Sequence, residues 1–125
     1  MNAALPKSLY TASLTNGEAV TLQDSGGTPD QKWVFVPTGD EADSCSIRTI
    51  SGQALDLDTG QSKIQLYDYL GYDNQRWIIQ RHEDGTASIL SVYNRLALAV
   101  SEDGSRLVLE SEQDGEQRQR WIVGM

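Results

Sequence analysis

The stretch Asp56-Leu57-Asp58-Thr59-Gly60 sets two carboxylates two residues apart ahead of a glycine, and two chemistries are open to that pattern. One is cation chelation. A calcium loop begins with closely spaced carboxylates but closes with a chelating glutamate at its twelfth position, and here that position holds Tyr67. The match fails where it matters, so no metal site is expected. The other is glycoside hydrolysis, which needs two carboxyl groups about 5–10 Å apart with divergent proton affinities. Asp56 and Asp58 are expected to point to opposite faces of one strand, which argues against such a pair. His82 is followed by Glu83 and Asp84 in what reads as a solvated turn, and no serine or cysteine has a base beside it in sequence. Nucleophilic catalysis therefore has no specific support. No catalytic residue is assigned, and neither an enzyme nor a cofactor is expected.

The elements that must position these residues are marked by a repeat. Gln31-Lys32-Trp33, Gln75-Arg76-Trp77 and Gln119-Arg120-Trp121 stand at equal intervals of 44 residues and use all three tryptophans of the chain. The chain thus reads as three copies of one unit, approximately 8–38, 44–82 and 83–125, within a single domain spanning 1–125. One unit cannot bury its own apolar face, whereas three around a shared axis can, each tryptophan bringing a large apolar surface to a common centre. The tryptophans are accordingly expected in the core, and Gln31, Gln75 and Gln119 are expected to tie turns together through amide hydrogen bonds to backbone.

Within each unit the apolar residues come in short runs bounded by turn residues. Leu9–Leu14, Ala19–Leu22 and Trp33–Val36 are the runs of the first unit. Ser46–Ile50, Ala54–Leu57, Ile64–Tyr67 and Trp77–Ile79 belong to the second; Ala87–Leu90, Leu96–Val100, Leu107–Leu109 and Trp121–Val123 belong to the third. Asn16-Gly17, Asp84-Gly85, Asp103-Gly104 and Asp114-Gly115 suit tight turns. No helical apolar stripe persists, so the fold class is all-β, with about four strands to a unit and about twelve in all.

Composition removes several classes of partner. Eighteen acidic residues against ten basic ones give a net charge of −8, which repels phosphate backbones and anionic membrane surfaces, so no nucleic acid is expected. No stretch approaches the roughly twenty apolar residues of a membrane span, and no membrane insertion is expected. Met1 to Leu9 lacks the apolar run of a signal peptide; the expected location is the cytoplasm, or the outside of the cell by a route needing no recognisable signal. Cys45, the single cysteine, cannot form an internal disulfide and reads as a buried, inert thiol.

With three evenly spaced Gln-x-Trp copies from about Ser8 to Met125, the sequence resembles the ricin B-type lectin family, whose domains are β-trefoils. That resemblance implies a second pattern: an Asp in a Leu-Asp-Leu strand, an aromatic after an apolar-Gln-Leu triplet, and an Asn just before the Gln-x-Trp. The second unit matches throughout, with Leu55-Asp56-Leu57, Ile64-Gln65-Leu66-Tyr67 and Asn74-Gln75-Arg76-Trp77. The residues it implies for carbohydrate binding are Asp56, Gln65, Tyr67, Asn74 and Gln75. A galactose-type pyranose has one face of C–H groups that packs on an aromatic ring, here Tyr67, and hydroxyls around its edge that need partners. Asp56 would accept from two adjacent hydroxyls through charge-assisted bonds, Asn74 would present its amide to them, and Gln65 would brace Asp56 or reach a sugar oxygen.

The other units depart from the pattern. Ala99, Glu110 and Arg118 fall at the acid, aromatic and Asn positions of the third; in the first, Gln23 matches Tyr67, Asp30 matches Asn74, and the acid position falls near Ala12. Both read as dead for sugar, although Asp24 and Asp30 leave the first a polar cleft. The disulfide of many family members is also missing, its positions being Ala54 and Tyr69. Tyr69 and Tyr72 read either as an extension of the platform to a second sugar or as solvent-facing loop residues. The implied function is non-covalent recognition of galactose or N-acetylgalactosamine-type glycans, with a homodimer or clustered glycan supplying avidity. The alternative is a protein-binding β-trefoil such as a protease inhibitor, with Gly39-Asp40-Glu41-Ala42-Asp43 as its loop.

Overall fold

A computed structural model of the chain describes residues 7–11, 17, 20–24, 33–38, 44–49, 52–58 and 63–121. Its strands are β1 (Lys7–Thr11), β2 (Val20–Asp24), β3 (Val34–Pro37), β4 (Ser44–Arg48), β5 (Ala54–Asp58), β6 (Lys63–Tyr67), β7 (Trp77–Arg81), β8 (Ala87–Ser91), β9 (Ala97–Val100) and β10 (Leu107–Glu110). The helical elements among the described residues are single 3-10 turns, Asp73–Gln75 and Gln117–Gln119, each leading into a Gln-x-Trp. The architecture is an all-β trefoil. β4 to β7 are the four strands of the second unit, and β8 to β10 are the first three of the third. The fourth opens at Trp121, which bridges to Ala87; Ile122 and Val123 lie outside the described residues. β1 to β3 correspond to β5 to β7, so ten of the twelve expected strands fall among the described residues.

Pairing is antiparallel throughout. One sheet runs β10-β9-β8-β7-β4-β5-β6 with β3 added to β4, and β1 pairs with β2. In the hairpin that matters most, Asp56 stands opposite Gln65 and Leu55 opposite Leu66. The two-residue period of a strand then sorts the side chains. Leu55, Leu57, Ile64 and Leu66 go inward to a core that also holds Ile47, Trp77, Ile89, Leu98, Val100 and Trp121. Asp56, Asp58, Gln65 and Tyr67 are left on the outer face. The first unit is stitched to the second by Gly17, which donates its N–H to the Leu66 carbonyl at 2.7 Å and accepts from Lys63 Nζ at 2.8 Å. Gly17 has a φ of +87°, a conformation that favours glycine, as the Asn16-Gly17 turn predicts.

Two of the three repeat tryptophans are sealed in the core. Trp77 is 0% exposed and Trp121 3%, and each indole donates to a strand carbonyl: Trp77 Nε1 to Leu55 at 3.1 Å, Trp121 Nε1 to Leu98 at 2.9 Å. Trp33 packs against the same cluster but is only half-buried, so the three core tryptophans are not equivalent. Trp77→Ala is expected to cost about 3–5 kcal/mol, as buried aromatic truncations do. Trp33→Ala is expected to cost clearly less; urea melts that gave equal losses would contradict the asymmetry.

Cys45 is buried, as its reading as an inert thiol requires. Burial pushes its thiol up to about 11 from an ordinary 9.0, with Arg81 pulling weakly the other way. Because the folded value is the higher one, the stability linked to this thiol is intact below pH 9.0 and is lost as pH rises through about 11. A disulfide reagent at pH 8 is expected to leave the folded protein unlabelled and to titrate one thiol once guanidinium unfolds it.

Candidate functional site

Asp56 is an outward residue of β5, yet only 4% of it is exposed, because a layer of amides covers it. Gln65 Nε2 donates to its Oδ1 at 3.1 Å, Asn74 Nδ2 to the same oxygen at 3.4 Å, and Gln75 Nε2 to Oδ2 at 2.8 Å. Gln65 comes from the facing strand, where β-pairing sets it directly opposite. Asn74 and Gln75 come from the 3-10 turn, and Asn74 also donates to the Leu57 carbonyl at 3.0 Å, docking the turn on β5.

Gln75 is the keystone of this arrangement. Beyond Asp56, its Nε2 donates to the Asp68 carbonyl at 2.7 Å, while its Oε1 accepts from Leu70 N–H at 2.6 Å and Gly71 N–H at 3.1 Å. Two donors and two acceptor positions exhaust a carboxamide. The turn-tying role foreseen for Gln75 is therefore present in full, and no position is left with which to bind a ligand directly. What Gln75 does here is position Asp56.

Around Asp56 opens a cleft of about 200 Å³, bordered by Gln65, Tyr67, Asn74, Leu70 and Tyr72. Asp58 lines it too. The expectation that Asp56 and Asp58 face apart is thus wrong, since residues two apart on a strand share a face. A carboxylate has about four lone-pair positions, and three are filled here. Among the described residues one is left without a partner, and a second opens only if the 3.4 Å bond from Asn74, the longest of the set, gives way. Tyr67, 38% exposed, stands at the rim with its ring available.

The full match between sequence and family model extends over residues 6–121 and describes a ricin-type beta-trefoil lectin domain. The chain belongs to that family. As a ricin-type lectin domain it is a carbohydrate-binding fold, and solved structures share the architecture. The designed 3-fold symmetric protein ThreeFoil superposes with a TM-score of 0.86 at 24% identity, over 100% of this chain and 96% of its own. The exo-beta-1,3-galactanase of Clostridium thermocellum gives 0.83 at 23%, over 100% of this chain and 29% of its own. The Polyporus squamosus lectin, solved with the epitope Neu5Aca2-6Galb1-4GlcNAc, gives 0.77 at 23%, over 93% of this chain and 43% of its own. The chain spans less than half the length of those last two. At these identities the likeness is one of fold. No curated protein matches the sequence.

The third unit of this lectin domain keeps the frame and changes what fills it. Ala99 stands where Asp56 does, but Glu110 at the Tyr67 position supplies a carboxylate to Gln119 Nε2 at 2.9 Å. Gln119 also donates to Ser111 O and accepts from Gln113 N–H, as Gln75 does with its own loop. Arg118, at the Asn74 position, donates to the Val100 carbonyl at 2.9 Å and pairs with Glu110 at 3.1 Å and Glu116 at 3.4 Å. Burial disfavours the Arg118 charge, yet the two glutamates more than offset this and hold the guanidinium above its ordinary range. An ion pair thus lies where the second unit has its open cleft.

In the first unit the register corrects the sequence alignment. Nine positions separate the paired Thr11 and Val20, where seven separate Leu57 and Ile64, so the residue opposite Thr21 is Tyr10. Tyr10, not Ala12, holds the acid position. Asp30 lies outside the described residues, as does the 39–43 loop. Tyr69 is half-buried and carries the Arg48 guanidinium 4.0 Å from its ring centroid, a contact that helps hold the loop. His82 is occupied away from the cleft, its Nε2 2.7 Å from Ser88 Oγ. Leu70, 61% exposed, was not foreseen in the cleft; nothing in its type or spacing marks it.

Gln75→Leu should therefore unbrace Asp56 and strand the Leu70 and Gly71 N–H groups, costing about 1–3 kcal/mol in a denaturant melt. Asn74→Ala, at a half-exposed position, is expected to cost less than Gln75→Leu; the reverse order would contradict the keystone role.

Proposed function

We propose that this lectin domain recognises galactose or N-acetylgalactosamine-type glycans non-covalently, through the Asp56 cleft of the second unit, and catalyses no reaction. The observation that carries the reading is the braced Asp56. A carboxylate held by three amides, with an acceptor position facing an open cleft and an aromatic ring at the rim, suits a ligand that offers hydroxyls on one edge and C–H groups on one face. Tyr67 stacks on the sugar, Asp56 accepts from a hydroxyl, and Asn74 turns from Asp56 towards the ligand. Gln65 and Gln75 keep the carboxylate in place.

One stack and a few hydroxyl bonds in a shallow cleft give a dissociation constant on the order of 0.1–1 mM. Useful avidity then comes from a homodimer or from clustered glycan. The third unit does not contribute, because its ion pair occupies the equivalent space.

The test is a glycan array with the wild-type protein beside Asp56→Ala and Tyr67→Ala. Since Asp56→Ala removes the acceptor of three amides, the buried Gln75 among them, and can unfold the domain, the rim variant Tyr67→Ala carries the test if it does. Galactose-type glycans are expected to bind, Asp56→Ala to silence them, and Tyr67→Ala to weaken them roughly two- to tenfold, the worth of one aromatic contact. A folded protein that binds no glycan, or binding untouched by both substitutions, would replace this reading with that of a protein-interaction trefoil.

A further inference from the structure

On the far side of Tyr72 and Asn74 from Asp56 lies a second cleft of about 450 Å³, more than twice the volume of the first. Tyr72 and Asn74 line both, so the two clefts adjoin. Asp73 and Arg76 of the turn, which pair with each other, line it together with Tyr93. Tyr93 belongs to the third unit, in the turn between β8 and β9. It is 54% exposed and Tyr72 66%, so two aromatic rings flank a polar groove while facing water.

The Tyr93 turn is built rigidly. Tyr93 N–H donates to Ser91 Oγ at 3.1 Å, Arg95 N–H to Ser91 O at 2.8 Å, and Leu96 N–H to Asn94 Oδ1 at 3.1 Å, with Arg95 at a φ of +61°. Val92 N–H donates to the Arg76 carbonyl at 3.0 Å, which fixes this turn against the start of β7. An exposed ring on a fixed turn loses little freedom when a ligand packs on it. The Asp73 carboxylate beside the Arg76 guanidinium makes the groove a source of donors and acceptors without a strong excess of either charge, in a protein of net charge −8.

We propose that this second cleft is a subsite for the next residue of an oligosaccharide, a neutral hexose or N-acetylhexosamine linked to the sugar held by Asp56, with Tyr93 as its stacking platform. The inference rests on the galactose-type reading of the Asp56 cleft and extends it. It makes the domain a reader of extended chains, assembled from two units of the trefoil, in place of a monosaccharide site.

The experiment is an NMR or calorimetric titration of the wild-type domain, Asp56→Ala and Tyr93→Ala with methyl β-galactoside, lactose, β-1,3- and β-1,4-galactobiose, and sialyllactose. At least one neutral disaccharide is expected to bind roughly three- to tenfold tighter than methyl β-galactoside, the worth of one stacking contact. Tyr93→Ala is expected to erase that gain while leaving the monosaccharide unchanged. Monosaccharide binding with no disaccharide gain, or a gain that survives Tyr93→Ala, would overturn the subsite and leave the Asp56 reading standing. A Tyr93-dependent preference for sialyllactose over every neutral disaccharide would overturn the neutral assignment. No binding of any sugar to the folded protein would overturn the Asp56 reading, and the subsite with it.

Discussion

The first and last residues of one three-residue motif grip two neighbouring residues of one strand. Trp77 donates its indole N–H to the carbonyl of Leu55, and Gln75 donates its amide to the carboxylate of Asp56. The first bond is made inside the core and the second on the outer face, because the strand alternates between them. The same three-residue sequence thus holds the trefoil together and aims the acidic group. The loop 68–71 is wound around the Gln75 carboxamide and carries Leu70, which borders the cleft, so the site's shape depends on that one carboxamide being fully bonded. A buried amide that lost its partners would be costly, which makes the arrangement close to all-or-none.

Repetition of the frame explains how neighbouring units can differ in function. What the motif demands of its strand is a carbonyl for the tryptophan and a carboxylate for the glutamine. The third unit meets the first demand with Leu98 and the second with Glu110, which reaches across from the opposite strand. Once the carboxylate comes from that side, the aromatic position is spent, and Arg118 neutralises the charge where Asn74 leaves a cleft. The scaffold is preserved while an ion pair stands where the second unit has an open cleft.

Much of this was legible in the sequence. The tryptophan spacing gave the repeat, the turn dipeptides gave the strand boundaries, and the Asp56, Gln65 and Asn74 set was placed in contact by cross-strand pairing and the turn. What escaped the sequence has identifiable causes. The acid position of the first unit was displaced by a longer connection between Thr11 and Val20, and register, not residue spacing, decides which side chains face one another. The facing of Asp58 follows from strand period and was misjudged. The saturation of Gln75 depends on the path of loop 68–71, and Leu70 joins the cleft because that loop turns it there. The different burial of Trp33 and the stacking of Arg48 on Tyr69 are tertiary facts with no local signature.

The most direct test of the account is a backbone and side-chain amide NMR map of the domain titrated with methyl β-galactoside. The expected result is a set of shifts confined to 55–58, 65–75 and the Asn74 side-chain amide, with the Gln75 amide protected from exchange before and after sugar and no change around Glu110 and Arg118. Saturable shifts centred on the third unit, or a Gln75 amide that exchanges freely in the folded domain, would contradict it.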